Sequence, residues 1–310
     1  MDKPGVIAVV GPTASGKTAL GVKLALALSG EVVSGDSMQV YTGMDIATAK
    51  PTEEEMQGVP HHMIGYVSPH EKYSAARYVA DASACIADIL SRSRLPIVVG
   101  GTGLYIDSLL QGIEFGEMPD SAEIRERLYA RLENEGAEAL IAEVRAVDPA
   151  TAEQLHENNA KRIVRALEIY YLTGKTVTEQ KLNSRPKEPP YDAFYIFINY
   201  ADRNKLYDRI DRRVDGMLQR GLLDETRRFA RDVLRTDVTA AQAIGYKELM
   251  PYINGEKELE DCVFSLKTAT RHYAKRQITW FSRNESAFRV FPDTQPDFFE
   301  DCINTIIDGR

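Results

Sequence analysis

The chain has 310 residues, 44% hydrophobic and 27% charged, a balance expected of a soluble globular protein with room for one large domain with an insertion, or for two domains. No apolar run approaches the ~20 residues of a membrane span, and Cys85, Cys262 and Cys302 form no C-x-x-C pair, which argues against a zinc site or a disulfide framework and for a reducing cytosol. A formal net charge of −8 argues against non-specific attraction to nucleic acid, although a local basic face can coexist with an acidic total.

The first predicted element is a buried strand at Val6–Val10. It runs directly into Gly11-Pro12-Thr13-Ala14-Ser15-Gly16-Lys17-Thr18, which fits G-x-x-x-x-G-K-[ST], and a helical pattern of Leu20, Leu24 and Leu28 follows. In that strand–loop–helix setting the glycines let backbone N–H groups converge on phosphate oxygens. The helix adds its positive end, Lys17 a point charge, and Thr18 a hydroxyl placed to ligate magnesium. Glu31–Ser34 is a weaker strand candidate. Just beyond it Asp36 opens Asp36-Ser37-Met38-Gln39-Val40-Tyr41, on the side where strand ends face the ligand crevice. A carboxylate there can hold magnesium through water, accept a proton as general base, or simply cap a turn.

His61-His62 lacks a partner at metal spacing, and adjacent residues on an extended segment point to opposite faces, so the pair reads as structural. Tyr73 to Arg94 reads as a long amphipathic helix. Pro96–Val99 is another buried strand, ending in Gly100-Gly101-Thr102-Gly103-Leu104-Tyr105 rather than in the Asp that serves the metal of nucleotide hydrolases. These glycines permit close backbone approach, with the Thr102 hydroxyl at the crevice. A plain glycine turn into a Leu104–Leu110 helix is the other reading.

Residues 119–185 carry no convincing strand. Ser121 is placed to cap a helix through Ile124, Leu128 and Leu132 that stops at Gly136; Asp148-Pro149 opens a short helix; Asn159–Thr173 forms another, stopped by Gly174. Pro186, Pro189 and Pro190 mark a linker before a buried strand at Ala193–Asn199. A strand returning after a helical block predicts an α/β fold: a P-loop nucleoside-triphosphatase-like core, with a parallel sheet and helices on both faces, over 1–115 and 192–310. An all-helical domain is inserted at 116–191. Residues 203–310 are mainly helical, the longest stretch being Glu256–Asn284. Three basic clusters stand out: Lys161-Arg162 with Arg165; Arg203, Arg209, Arg212 and Arg213; and Arg271, His272, Lys275 and Arg276 with Arg283. Each reads either as a solvated helix face or as a grip on a nucleic-acid backbone, with Tyr170, Tyr171, Tyr246, His272 and Tyr273 available to stack an extruded base.

Taken in order, these segments closely resemble the bacterial tRNA dimethylallyltransferases. The resemblance rests on Gly11–Thr18, Asp36–Tyr41, Gly43-Met44-Asp45-Ile46-Ala47-Thr48-Ala49-Lys50-Pro51, Gly100–Tyr105, Arg162-Ile163-Val164-Arg165-Ala166-Leu167-Glu168, Ala243-Ile244-Gly245-Tyr246-Lys247-Glu248 and Ala274-Lys275-Arg276-Gln277-Ile278-Thr279-Trp280-Phe281. It implies transfer of a dimethylallyl group from dimethylallyl diphosphate to the exocyclic N6 amine of the adenosine 3′-adjacent to the anticodon, with Mg2+ assisting through Thr18. By that resemblance Asp36 is the general base, with Thr102 and Arg213 also at the reaction centre, neighbouring Arg209 and Arg212 blurring the last assignment. Gly11, Pro12, Thr13, Ala14, Ser15, Gly16, Lys17 and Thr18 hold the diphosphate. Asp36, Ser37, Met38 and Gln39 meet the target base. Thr102, Arg125, Lys161, Arg162, Ile163, Val164, Arg165, Gln242, Ala243, Ile244, Gly245, Tyr246 and Lys247 belong to the surface facing the tRNA anticodon stem-loop. The implied protein is a cytoplasmic monomer without membrane contact, and the zinc-finger extension of eukaryotic relatives has no counterpart among the scattered cysteines. The rival readings are a P-loop small-molecule kinase, a non-catalytic RNA-binding module switched by a nucleotide, and an adenylate isopentenyltransferase acting on free nucleotides. Only the tRNA enzyme and the binding module call for a basic helical insertion.

Overall fold

Six strands, every neighbouring pair parallel, form one sheet in a computed structural model that describes residues 3–116, 121–234 and 238–308. They are β1 (Gly5–Val10), β2 (Gly30–Ser34), β3 (His61–His62), β4 (Leu95–Gly100), β5 (Asp192–Ile198) and β6 (Phe288–Val290), hydrogen-bonded in the order β3-β2-β4-β1-β5-β6. The helices in chain order are α1 (Lys17–Leu28), α2 (Glu53–Met56), α3 (Ala75–Ser91), α4 (Gly103–Leu110), α5 (Ala122–Glu135), α6 (Ala137–Val147), α7 (Pro149–Ala152), α8 (Ala160–Thr173), α9 (Val177–Asn183), α10 (Arg203–Gln219), α11 (Leu222–Phe229), α12 (Tyr246–Ile253), α13 (Leu259–Phe281) and α14 (Phe298–Asp308). The chain divides into one unit of Met1–Leu110 with Pro190–Arg310, which holds the whole sheet, and a second of Gln111–Pro189, which holds α5 to α9.

Strand alternation explains why β1 reads as an unbroken apolar run. Ile7 and Val9 face one core with Leu20 and Leu24 of α1 and Cys302 and Ile306 of α14. Val6, Ala8 and Val10 face the other, with Tyr78 and Ile86 of α3, Ile106 and Leu109 of α4, and Phe281 of α13. Both faces are covered by helices, so no strand position can be polar without cost. The α/β architecture is therefore the one expected. Register then positions the site: Val10 pairs with Gly100 and with Phe197, and Ser34 with Val99. The segments that follow β1, β2 and β4 consequently leave the sheet along a single edge.

The helical unit closes on its own core of Leu128, Leu140, Ile141, Val144, Ile163, Val164 and Leu167. Asp148 caps α7 through the Thr151 amide (3.1 Å) and also accepts from the Thr178 amide and hydroxyl, tying in α9. Burial pushes this carboxyl up, but the bonds from Thr178 and Thr151 outweigh it and hold it below the ordinary value. Ser121 precedes α5 as expected but does not cap it. Its backbone (φ −121°, ψ 11°) is not extended, and its hydroxyl accepts from Arg125 instead. Strands β3 and β6 and helix α2 carried no sequence expectation, α6 and α9 fall inside the predicted helical block without bounds of their own, and residues 117–120 of that block lie outside the described residues.

One buried carboxylate near the start of β2 supports a stability prediction. Glu31 on β2 takes both Arg92 guanidinium nitrogens and the His62 imidazole (2.7 Å), with Arg94 at 3.7 Å. The hydrogen bonds from Arg92 are the largest cause, against the opposing effect of burial, of a pKa lowered from 4.5 to about 2. A depressed carboxyl stabilises the fold above its unfolded value and loses that contribution as pH falls through its folded one. Glu31→Gln should therefore cost about 1.5–3 kcal/mol at neutral pH, the range for hydrogen bonds to charged groups. In thermal melts the gap from the parent should close as pH falls from 4.5 towards about 2. A gap independent of pH would show that packing, not charge, makes the difference.

Candidate active site

The loop after β1 has the conformation a phosphate cradle needs. Gly11 lies at φ +149°, where a Cβ would meet the Ile198 carbonyl oxygen at 2.3 Å, and Gly16, the residue before α1, lies at φ +98°. The Ser15 hydroxyl is buried without a hydrogen-bond partner. A hydroxyl in that state inside such a loop is able to bond a phosphate oxygen. Lys17 Nζ donates to the Pro12 carbonyl at 2.6 Å.

Helix α10 closes over this loop. Arg209 Nε donates to the Ala14 carbonyl (2.8 Å) and Arg213 donates to the Thr13 hydroxyl (3.3 Å), one helical turn apart on one face. Arg212 is exposed and donates back to the Asp208 carbonyl. All three arginines line the cavity, but only Arg209 and Arg213 hydrogen-bond to the loop itself. Burial pushes Lys17 down to about 7, with Arg213 adding to the effect and Asp36 opposing it. Burial likewise lowers Arg213, again against Asp36. Two desolvated cations side by side favour an anion between them.

Asp36 lies in the same cavity of about 760 Å3, which is also lined by Thr13 to Thr18, Ser37, Met38, Gln39, Arg213 and Tyr273. Burial raises its pKa, opposed by the amides of Met38 (2.8 Å) and Gln39 (3.4 Å) and by the charges of Lys17 and Arg213. Asp36 thus does cap a turn, and it also points a raised-pKa carboxyl at the cavity. The Thr102 hydroxyl accepts from the Ser37 amide (3.0 Å) and donates to the Ser37 hydroxyl (3.3 Å), bringing the predicted pair of loops together.

The glycines that end β4 and open α4 serve protein packing. A Cβ at Gly100 would meet the Gly35 carbonyl oxygen at 2.3 Å, and one at Gly103 would meet Trp280 at 2.3 Å. Trp280 is anchored in turn by donating to Asp107 at 2.6 Å. The Gln39 amide donates to the Thr48 and Ala49 carbonyls (3.3 and 3.2 Å) and accepts from the Ser34 hydroxyl (2.9 Å). Buried Glu225 holds that same wall: it accepts from the amides of Asp45 (2.9 Å), Ile46 (2.8 Å) and Ala47 (2.9 Å) and from the Tyr246 hydroxyl (2.8 Å). Sequence reading missed Glu225, which looks like any surface acid in the first turn of a charge-balanced helix. The two adjacent histidines turn to different partners, His61 lining the cavity with Nδ1 on the Val59 carbonyl while His62 faces Glu31.

Several expected tRNA-facing residues are buried. Tyr246 is fully enclosed against Phe229 (ring centroids 5.9 Å apart), so it cannot stack an extruded base; its hydroxyl is needed by Glu225. Ala243 and Gly245 are also buried but line the cavity, together with Gln242, Ile244 and Lys247. In the helical unit Ile163 and Val164 are core residues, leaving Lys161, Arg162 and Arg165 on the exposed side of α8. Arg165 and Arg125 both pair with buried Glu168 at 2.7 Å, so their charge is already shared. Arg271 pairs with Asp211, whereas Arg276 lines the cavity. Among the described residues no group of three or more His, Cys, Asp or Glu could hold a metal ion, and no helix is long and apolar enough to cross a membrane.

Comparison with known proteins agrees with this geometry. Residues 39–285 match the family described as IPP transferase, and residues 4–65 the one described as isopentenyl transferase. The tRNA dimethylallyltransferase of Caldanaerobacter subterraneus is 47% identical over 296 residues, covering 95% of this chain and 94% of that protein. That of Bacillus subtilis is 47% identical over 294 residues, covering 95% and 92%. Among solved structures, the tRNA isopentenylpyrophosphate transferase of Bacillus halodurans is 41% identical with a TM-score of 0.73, covering 99% of this chain and 96% of that one. A eukaryotic dimethylallyltransferase acting on tRNA is 32% identical with a TM-score of 0.79, covering 99% and 80%. A phosphate loop closed over by two arginines, a buried aspartate beside it and a match that spans nearly the whole chain make this protein a member of the IPP transferase family, the tRNA dimethylallyltransferases.

Proposed function

We propose that this chain transfers the dimethylallyl group of dimethylallyl diphosphate to the N6 amine of the adenosine 3′-adjacent to the anticodon of tRNA, releasing diphosphate. The observation that carries the reading is one cavity holding two desolvated cations, Lys17 and Arg213, and a raised-pKa carboxylate, Asp36. The diphosphate lies in the Gly11–Thr18 loop, where the Ser15 hydroxyl, Lys17 and Arg213 absorb the charge that grows as the C–O bond breaks. The electron pair of that bond leaves with the diphosphate. The adenine N6 attacks the freed allylic carbon, and Asp36 takes the N6 proton as the new N–C bond forms, compensating for a lone pair delocalised into the ring. The Thr18 hydroxyl lines the cavity and, with substrate phosphates, offers the hard oxygen donors that suit a magnesium ion, which when bound neutralises charge on the leaving group. Since N6 is inaccessible inside a stacked loop, the base must turn out of it to reach Asp36. We read the protein as a cytosolic monomer, a setting that suits three free thiols.

Isotope-labelled dimethylallyl diphosphate incubated with unmodified tRNA should label the anticodon-loop fragment. Label on free adenosine phosphates alone would favour an adenylate isopentenyltransferase, and phosphoryl transfer from ATP a kinase. The helical unit should contribute electrostatic grip through the exposed face of α8. Lys161→Gln with Arg162→Gln, which leaves the pairs of Glu168 intact, should weaken tRNA binding at low salt. It should also flatten the plot of log affinity against log salt by about 0.7–0.9 per lost phosphate contact. A parental slope in that variant would make this face merely solvated.

A further inference from the structure

Buried Gln277 on α13 joins the two loops that, on the prenyl-transfer reading above, carry different substrates. Its Oε1 accepts the Thr13 amide N–H at 2.8 Å, and its Nε2 donates to the Gly101 carbonyl at 3.0 Å. Thr13 belongs to the diphosphate loop, and its hydroxyl takes the Arg213 guanidinium. Gly101 adjoins Thr102, whose amide donates to the Gly35 carbonyl (3.1 Å) and whose hydroxyl accepts from the amide of Ser37, next to Asp36. A run of hydrogen bonds, with one peptide link between Gly101 and Thr102, thus connects Arg213 through Thr13, Gln277, Gly101 and Thr102 to Ser37. From these contacts we infer that Gln277 is a positioning residue, a clasp that sets the separation between the diphosphate cradle and the base-facing loop.

The chemistry of the two partners leaves little choice of side chain. A backbone N–H can only donate and a carbonyl only accept, so the clasp must offer an acceptor and a donor on one short planar group. Glutamate would turn a second oxygen towards the Gly101 carbonyl, and leucine would leave both backbone groups buried and unpaired. Gly101 is matched to the amide: a Cβ there would lie 2.0 Å from Nε2, and the amide end of the side chain would have to give way. The Thr13 N–H is therefore spent on the clasp and not on phosphate. Each subsite keeps its own contacts when the clasp opens. What changes is the distance from the allylic carbon to N6, on which the rate depends steeply.

The test uses the full chain with dimethylallyl diphosphate and unmodified tRNA in single-turnover and steady-state assays of Gln277→Leu, Gln277→Glu, Gly101→Ala and the Gly101→Ala/Gln277→Leu pair. Each single variant should lose about 10²-fold in kcat, with the KM of both substrates changed far less. The double variant should be no slower than the slower single, because both changes open one clasp. Near-parental rates, a loss confined to the KM of one substrate, or multiplying losses would overturn the inference. Should Gln277→Leu fail to fold by circular dichroism, Gly101→Ala, which keeps the glutamine, carries the same expectation alone. Inactivity of the parent chain on tRNA would instead overturn the prenyl-transfer reading itself.

Discussion

Asp36→Asn should lower the single-turnover rate of prenyl transfer by about 10²–10⁴-fold, the range for losing a general base, with far smaller changes in affinity for either substrate. Asparagine retains an oxygen for the Met38 and Gln39 amides, so the turn should survive. Only the ability to take a proton is removed. The parent should also show an acid limb: burial raises the Asp36 pKa, the base works only when ionised, and the rate must therefore climb as pH rises through that raised value. The variant should lack this limb. A variant with the parental rate and the parental limb would take Asp36 out of the chemistry and leave it as the turn cap it also is.

Arg213→Ala should cost about 10²–10³-fold in kcat, as expected for removing one preorganised donor from a developing anion. A second effect follows from its neighbour. Burial is the main reason that Lys17 is depressed to about 7, and the charge of Arg213 is the next. A lysine with a lowered pKa is cationic below that value and neutral above it, so affinity for dimethylallyl diphosphate in the parent should fall as pH rises past about 7. Without Arg213 that fall should move to higher pH, though not to the ordinary lysine range, because burial persists. Titration calorimetry across pH reads both midpoints. An unmoved midpoint would mean that the two cations do not share one ligand.

The elements missed from sequence share a cause. Strand β3 has two residues, too few for any period, and exists because Val32 and Val33 offer it a register. Glu225 and Tyr246 are far apart in sequence, and neither is informative until α11 and α12 meet the loop at Asp45–Ala47. Arg209 and Arg213, four apart, and Arg209 and Arg212, three apart, are all same-face pairs, so helical spacing alone does not say which of them bonds the phosphate loop. The same spacing of four relates Tyr273 and Gln277. Which face meets the phosphate loop is decided by Leu206, Ile210 and Ala274 packing on Ala14.

The chain by itself determined whatever is contiguous: the phosphate loop, because a cradle of successive backbone amides must be written in successive residues; the buried strands, because both faces are covered; and the helical block, because a run of glycine-stopped amphipathic segments without a strand cannot join the sheet. Tertiary structure alone decided which groups meet in the cavity. Parallel register delivers the segments after β1, β2 and β4 to one edge, and α10 and α13 lay Arg213 and Gln277 over them. Burial there then sets the charges, lowering Lys17 and raising Asp36, because desolvation is a property of the assembled pocket and of no residue taken alone.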